Sequence, residues 1–241
     1  MMTAACCNAT NMSWILDELE HAGAEHLDAG QVALYDAKAQ FDAEPEVRLL
    51  QSLGLNEAQT LIDLGAGPGE LALEAARVYR RVIAVDVSPA MLNVIRDKAT
   101  RRDVGNVEVV QGGFLGYQHE GEQADFVYSR NALYHLPDFW KVQALRRVHR
   151  MLKPGGVLRL RDLAFSFEAD ESKERIEGWL AHSDQMSSPG YPRSELETHV
   201  CEEFSTFTWL LEVMLERVGF AVEQTQYSPS GIFVEYVCCS A

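Results

Sequence analysis

The chain has 241 residues, enough for one large domain with a sizeable core. Its net charge of −15 opposes non-specific binding to nucleic acid, which draws its affinity from lysines and arginines on phosphates. A hydrophobic fraction of 47% is that of an ordinary globular protein, and no apolar run reaches the ~18 residues of a membrane span.

The five cysteines, Cys6, Cys7, Cys201, Cys238 and Cys239, are odd in number and include two adjacent pairs. Such spacing suits neither a disulfide framework nor a zinc site, so reduced thiols in the cytoplasm are expected and no metal is. Met1 to Asn11 carries no basic residue ahead of an apolar core, so no secretory leader is expected. The sequon matches at Asn8 and Asn11 then carry no meaning.

In chain order, Ser13 predicts a helix cap ahead of Trp14, Ile15, Leu16 and Leu19. A second helical stretch is expected from about Glu25 to Gln40, and it carries Tyr35. Tyr35 and Phe41 cover a ligand or belong to the core; the residues leave both open. Pro45 opens a third helix whose apolar face is Val47, Leu49, Leu50 and Leu53, and Gly54 stops it.

Leu61–Leu64 is the first strand, and the helix from Glu70 to about Tyr79 follows it. Val82–Asp86 is a continuous apolar run, as expected of a parallel strand covered on both faces. Ser88 and Pro89 start the next helix, through Met91, Leu92 and Ile95. Val107–Val110 and Asp125–Ser129 are strands three and four. A helix from Phe139 to Leu152 leads through the turn Lys153-Pro154-Gly155-Gly156 to a fifth strand, Val157–Leu163. Residues 164–206 break the alternation and are expected to form a substrate-side insertion. Thr208–Val218 is helical, and the segments flanking Ser228-Pro229-Ser230-Gly231 form a terminal antiparallel hairpin. This β-α alternation implies an α/β fold with a parallel doubly wound sheet, and a ligand outside the carboxyl ends of its strands.

Between the first strand and its helix lies Asp63-Leu64-Gly65-Ala66-Gly67-Pro68-Gly69. Glycine permits positive φ and close approach of a ligand to the backbone. The helix start adds free N–H groups for an anionic one. A nicotinamide fingerprint spaces its glycines G-x-G-x-x-G, whereas here they stand G-x-G-x-G. Asp86 ends strand two, 21 residues after Gly65. With Asp63 ahead of it, this turn resembles motif I of the class I S-adenosylmethionine (SAM) dependent methyltransferases. Val85–Leu92, Asp125–Ser129 with Leu133–Asp138, and Leu152–Gly156 resemble further motifs of that family in the same order. The resemblance covers about residues 45–163 and 208–239.

The resemblance implies a Rossmann-like seven-stranded sheet of order 3-2-1-4-5-7-6, its last strand antiparallel. N-terminal helices would form a lid over residues 1–42, and 164–206 an insertion between strands five and six of a single domain spanning 1–241. SAM would be the cofactor. The backbone of Gly65, Ala66 and Gly67 would face its methionine part, with Tyr35 beside it. Asp63 would orient the ammonium group, or serve only to stabilise the turn. Asp86 would accept from both ribose hydroxyls, or cap a helix. Val87 and Met91 would pack on the adenine, and Asn131, after strand four, would line the site.

One position departs from the family. After strand three an acidic residue often contacts the adenine amine, and this chain has Gly113 there, then Phe114. Adenine recognition must then rest on backbone groups, on Phe114, or on a residue elsewhere.

Methyl transfer needs a base only if the acceptor is protonated at working pH. His135 is a candidate base, or a structural histidine beside Pro137. His182 and His199 in the insertion are further candidates, His182 to hold an acceptor; Arg161 and Asp162, at the end of strand five, hold an acceptor or simply pair with neighbours. Ser129-Arg130-Asn131-Ala132 lacks the Asn/Asp-Pro-Pro-aromatic pattern of enzymes that methylate base amines. A small-molecule acceptor is therefore expected, with no nucleic-acid or membrane partner. A protein or RNA methyltransferase and a non-catalytic ligand binder of the same fold remain open.

Overall fold

The computed structural model describes residues 14–28, 30, 32, 41–54, 56, 59–183 and 192–241. Seven strands form the main sheet: β1 (Thr60–Leu64), β2 (Arg81–Asp86), β3 (Val107–Gln111), β4 (Ala124–Arg130), β5 (Leu152–Phe165), β7 (Phe220–Tyr227) and β8 (Phe233–Ser240). Their order is β3-β2-β1-β4-β5-β8-β7. The first five are parallel, and β8 runs antiparallel to both its neighbours. A two-residue strand, β6 (Thr206–Phe207), adds to β5 and raises the count to eight. The expected order of the seven long strands holds; the short strand carried no pattern long enough to see.

Alternation along each strand sends successive side chains to opposite faces. Leu61, Val82 and Phe126 join a layer with Val47 and Leu50 of α2 (Glu44–Ser52), Leu71 and Ala75 of α3 (Glu70–Ala75), and Leu92 and Ile95 of α4 (Pro89–Arg101). Ile62, Ile83 and Val127 join the other, with Leu145 and Val148 of α5 (Asp138–Met151) and Leu211 and Leu215 of α8 (Thr208–Arg217). Both faces are covered, which is why the middles of β1, β2 and β4 are mainly apolar. Ser88 caps α4 by accepting from the Met91 N–H at 3.2 Å.

The turn expected at Lys153–Gly156 lies inside β5. β4 steps from Ala124 to Phe126 while its partner steps from Leu152 to Val157, so the surplus residues bulge from the ladder. The helix expected from Trp14 is not formed: residues 14–22 run as turns. Trp14 stacks on Trp140 at 6.0 Å and Glu18 bonds to the loop after β3, so tertiary contacts replace a local helix. The described part of the next stretch is the single turn α1 (Ala24–Leu27). Tyr35 lies outside the described residues, as does the side chain of His182. In the insertion, α6 (Ser172–Ser183) and α7 (Arg193–Cys201) pack on one another.

Candidate active site

The glycine turn leaves β1 with Gly65 at φ 72° and Gly67 at φ 52°. Both the Gly65 and Ala66 N–H groups donate to the Val85 carbonyl, at 2.9 and 3.0 Å, which ties the turn to β2. A β-carbon on Gly65 would stand 2.4 Å from that of Ala132, whereas one on Gly67 would meet nothing within 4 Å. Gly65 is thus required by packing and conformation, and Gly67 keeps the backbone open toward a ligand.

Asp86 closes β2 beside this turn. Its Oδ2 accepts from the Gly67 N–H and its Oδ1 from the Ser88 N–H, both at 2.8 Å. Burial outweighs these bonds and lifts its pKa to about 6. Asp63 is 2% exposed; burial and the neighbouring Asp86 raise it to about 7, against a bond from the Ala72 N–H in the first turn of α3. That bond ties Asp63 to the start of the helix that follows the turn.

Three clefts meet over the carboxyl ends of the strands. The first, of about 680 Å³, is bordered by Asp86, Val87, Met91, Gly113 and Phe114, with Glu18 opposite. The second, about 1630 Å³, continues past Gly65 and Gly67 to Asp63, Ala66, Arg130 and Arg161. The third, about 680 Å³, is walled by Tyr134, Trp179, Leu196, His199 and Phe233. Asn131 borders all three. It sits at φ 51°, its N–H donating to the Arg161 carbonyl at 2.8 Å and its side-chain oxygen accepting from the Arg161 guanidinium.

The structure thus brings Gly65, Ala66, Gly67, Asp63, Asp86, Val87, Met91, Gly113, Phe114, Asn131, Arg161 and His135 to one connected set of clefts. Asp162 is the exception and the expectation for it is corrected. It is 1% exposed, borders none of the three clefts, and faces the Tyr134 and Leu163 N–H groups and the Lys141 charge. Alternation along β5 sends Arg161 to the ligand side and Asp162 to the opposite face, beneath the 3-10 turn Leu133–His135.

His135 borders the first cleft, and its Nδ1 is buried with no hydrogen bond, 3.7 Å from Glu203 Oε1. Burial, with His26, His199 and His21 near it, pushes its pKa down to about 3, so the ring is neutral. Glu203 also accepts from His199 Nδ1 at 2.5 Å. Glu18, Arg130 and Glu203 were not singled out from the sequence, because no local pattern marks them; only the vacancy at Gly113 signalled that something else was needed.

The first two clefts fit an adenosyl amino acid. Asp86, at the strand tip, retains lone pairs on two oxygens for a vicinal diol, beside an apolar slot at Met91 and Phe114. Beyond the glycine turn, Asp63, Arg130 and Arg161 offer both signs of charge to a zwitterion. A family model described as "Methyltransferase domain" matches residues 61–156. The chain is 29% identical over 181 residues to the uncharacterised methyltransferase YrrT of Bacillus subtilis, covering 74% of this chain and 77% of that one. It is 28% identical over 157 residues to the demethylmenaquinone methyltransferase of Listeria monocytogenes, covering 65% of this chain and 61% of that enzyme's length.

The domain match, these relatives and the geometry of the site together support a SAM-dependent methyltransferase. Its fold is shared by a SAM-dependent methyltransferase from Aquifex aeolicus, with a TM-score of 0.63 at 19% identity over 89% of this chain and all of that one. The methyltransferase has, among its described residues, no group of three or more His, Cys, Asp or Glu side chains placed to hold a metal ion. No described helix is long and apolar enough to cross a membrane.

Proposed function

We propose that this methyltransferase passes the methyl group of SAM to a small molecule held in the third cleft. The observation that carries the reading is the junction of that cleft with the first at His26 and Asn131. Its walls, Tyr134, Trp179, Leu196 and Phe233, favour an apolar or aromatic acceptor. The strap 1–42 and the insertion 164–206 act as the lid, and the one domain spans 1–241. That YrrT is a methyltransferase and that demethylmenaquinone methyltransferase is named for a small acceptor both support the reading.

SAM supplies a methyl carbon on a positively charged sulfur. The residues supply position. In-line displacement requires nucleophile, carbon and sulfur on one line, and holding them so is worth effective molarities of ~10⁵ M or more. In this reading Asp86 holds the ribose hydroxyls, Val87 and Met91 the base, and Asn131 with Arg130 and Arg161 the amino-acid end. His135 is too weak a base to keep a proton at neutral pH. As a neutral ring at the wall of the first cleft it offers the acceptor's O–H or N–H a hydrogen-bond acceptor and so aims the nucleophile.

The acidic surface and the aromatic walls of the third cleft disfavour nucleic acid as acceptor. Cytoplasmic residence belongs to the same proposal, supported by Cys201, Cys238 and Cys239, which are free thiols. Incubation with methyl-labelled SAM and a cell extract, then separation into small-molecule, protein and RNA fractions, tests the proposal. Label in the small-molecule fraction is expected; label confined to protein or RNA overturns it.

A further inference from the structure

The loop Gly112–Tyr117 follows β3, where relatives often place a carboxylate against the adenine amine and this chain has Gly113. A β-carbon built on Gly113 would lie 2.5 Å from Glu18 Oε1 and 2.7 Å from Oε2. The space that a residue-113 side chain would enter is thus already filled by a carboxylate from another part of the chain. Glu18 Oε2 accepts from the N–H groups of Leu115 and Gly116, both at 2.9 Å. Arg147 of α5 braces the same loop from below, donating to the Phe114 carbonyl at 3.0 Å and the Tyr117 carbonyl at 2.6 Å.

The strap that carries Glu18 is itself anchored. Trp14 stacks on Trp140, Leu16 packs on the core, and the His21 ring lies 6.1 Å from Phe204. Glu18 borders the first cleft together with Met91 and Phe114, the apolar slot suited to a purine. Bracing the loop accounts for the bonds to Oε2. Glu18 is further held by the Phe114 N–H and the Arg147 charge, and so held it stands at the cleft wall, over Gly113.

We propose that Glu18 recognises the exocyclic amine of the adenine, as a carboxylate supplied from the N-terminal strap to the position left empty by Gly113. The inference rests on SAM as cofactor and adds the residue that selects its base. The amine donates to an ionised carboxylate. A hypoxanthine base presents a carbonyl at the same position, so two acceptors would face each other.

Calorimetric titration of the full chain with S-adenosylhomocysteine and S-inosylhomocysteine tests this without an acceptor. The wild-type chain is expected to favour the adenosyl compound by about ten- to a hundred-fold, the range of a hydrogen bond to a charged group. In E18A the preference should collapse to within about threefold. E18Q keeps the volume and should fold even if E18A does not. Its amide can turn to suit either base, so it too should lose discrimination. In E18A/G113D the carboxylate returns on the loop and the preference with it. If the E18A and E18Q chains weaken both ligands equally, or keep the wild-type preference, Glu18 only braces the loop and the proposal is overturned. A wild-type chain that bound neither compound would instead overturn SAM as cofactor.

Discussion

At the scale of single residues, Asp86 couples cofactor binding to pH in a direction that can be worked out. Its pKa of about 6, raised by burial, means that the folded chain binds this proton more tightly than the unfolded chain does. The stability contributed by that proton is therefore present at low pH and lost as pH rises through about 6. Relative to D86N, which does not titrate there, the ligand-free wild type should gain thermal stability as pH falls from about 7.5 to about 5.5. Cofactor binding should move the opposite way. Ionised Asp86 offers acceptors on both oxygens, and the protonated form loses one. Calorimetric affinity for SAM should fall about fourfold over that interval, and in D86N this component should vanish. Gly65 allows a second test. Alanine there must adopt φ near 72° with its β-carbon 2.4 Å from that of Ala132. The G65A chain should lose about 2–4 kcal/mol of stability in urea titrations. His135 allows a third: H135A should slow methyl transfer about ten- to a hundred-fold and leave S-adenosylhomocysteine affinity within twofold, the signature of a residue that aims the acceptor.

At the scale of elements, what the sequence revealed and what it hid divide along one physical line. Strands β1, β2 and β4 are apolar runs because helices cover both faces, and each helix that flanks them shows its own buried stripe. Such elements carry their signal in their own residues. Residues 14–22 do not. They hold Ile15, Leu16 and Leu19 at helical spacing, yet Glu18 spends its carboxylate on N–H groups 97 and 98 residues away. No window of sequence contains that bond. The same holds for the approach to β6, which Lys141 ties down at Phe204. This lysine is 1% exposed; its ammonium donates to Asp138 Oδ1 at 2.8 Å and to the Phe204 carbonyl. The Phe204 N–H in turn reaches the Tyr134 carbonyl at 3.0 Å. Replacing Lys141 by methionine keeps the packing but leaves a carbonyl without its donor, and takes the nearest cation from Asp162. K141M should cost about 2–4 kcal/mol, with faster amide exchange in residues 202–207 than in β1 or β2.

At the scale of the whole molecule, the net negative charge also acts on the cofactor. The chain carries 36 acidic against 21 basic residues, for a net charge of −15. Its summed potential attracts cations and focuses where low-dielectric walls enclose a cleft. SAM bears a sulfonium and an ammonium against one carboxylate and is a net cation. The product, S-adenosylhomocysteine, has lost the sulfonium charge and is neutral overall. The long-range field therefore favours entry of the cofactor and leaves the product without that attraction, although in the proposed reading both meet Asp86 and the glycine turn alike. Arg130 and Arg161 oppose the field locally, at the end where the carboxylate belongs, so they do not cancel it for the sulfonium. Salt separates this component from the contacts, because charges beyond about 10 Å are screened at 0.1 M ionic strength. Raising ionic strength from about 0.02 M to about 0.5 M should weaken SAM binding several-fold and change S-adenosylhomocysteine binding by less than about twofold. Parallel calorimetric titrations at the two salt concentrations measure the difference. An equal response from both ligands would mean that contacts within the clefts alone set the order of binding and release.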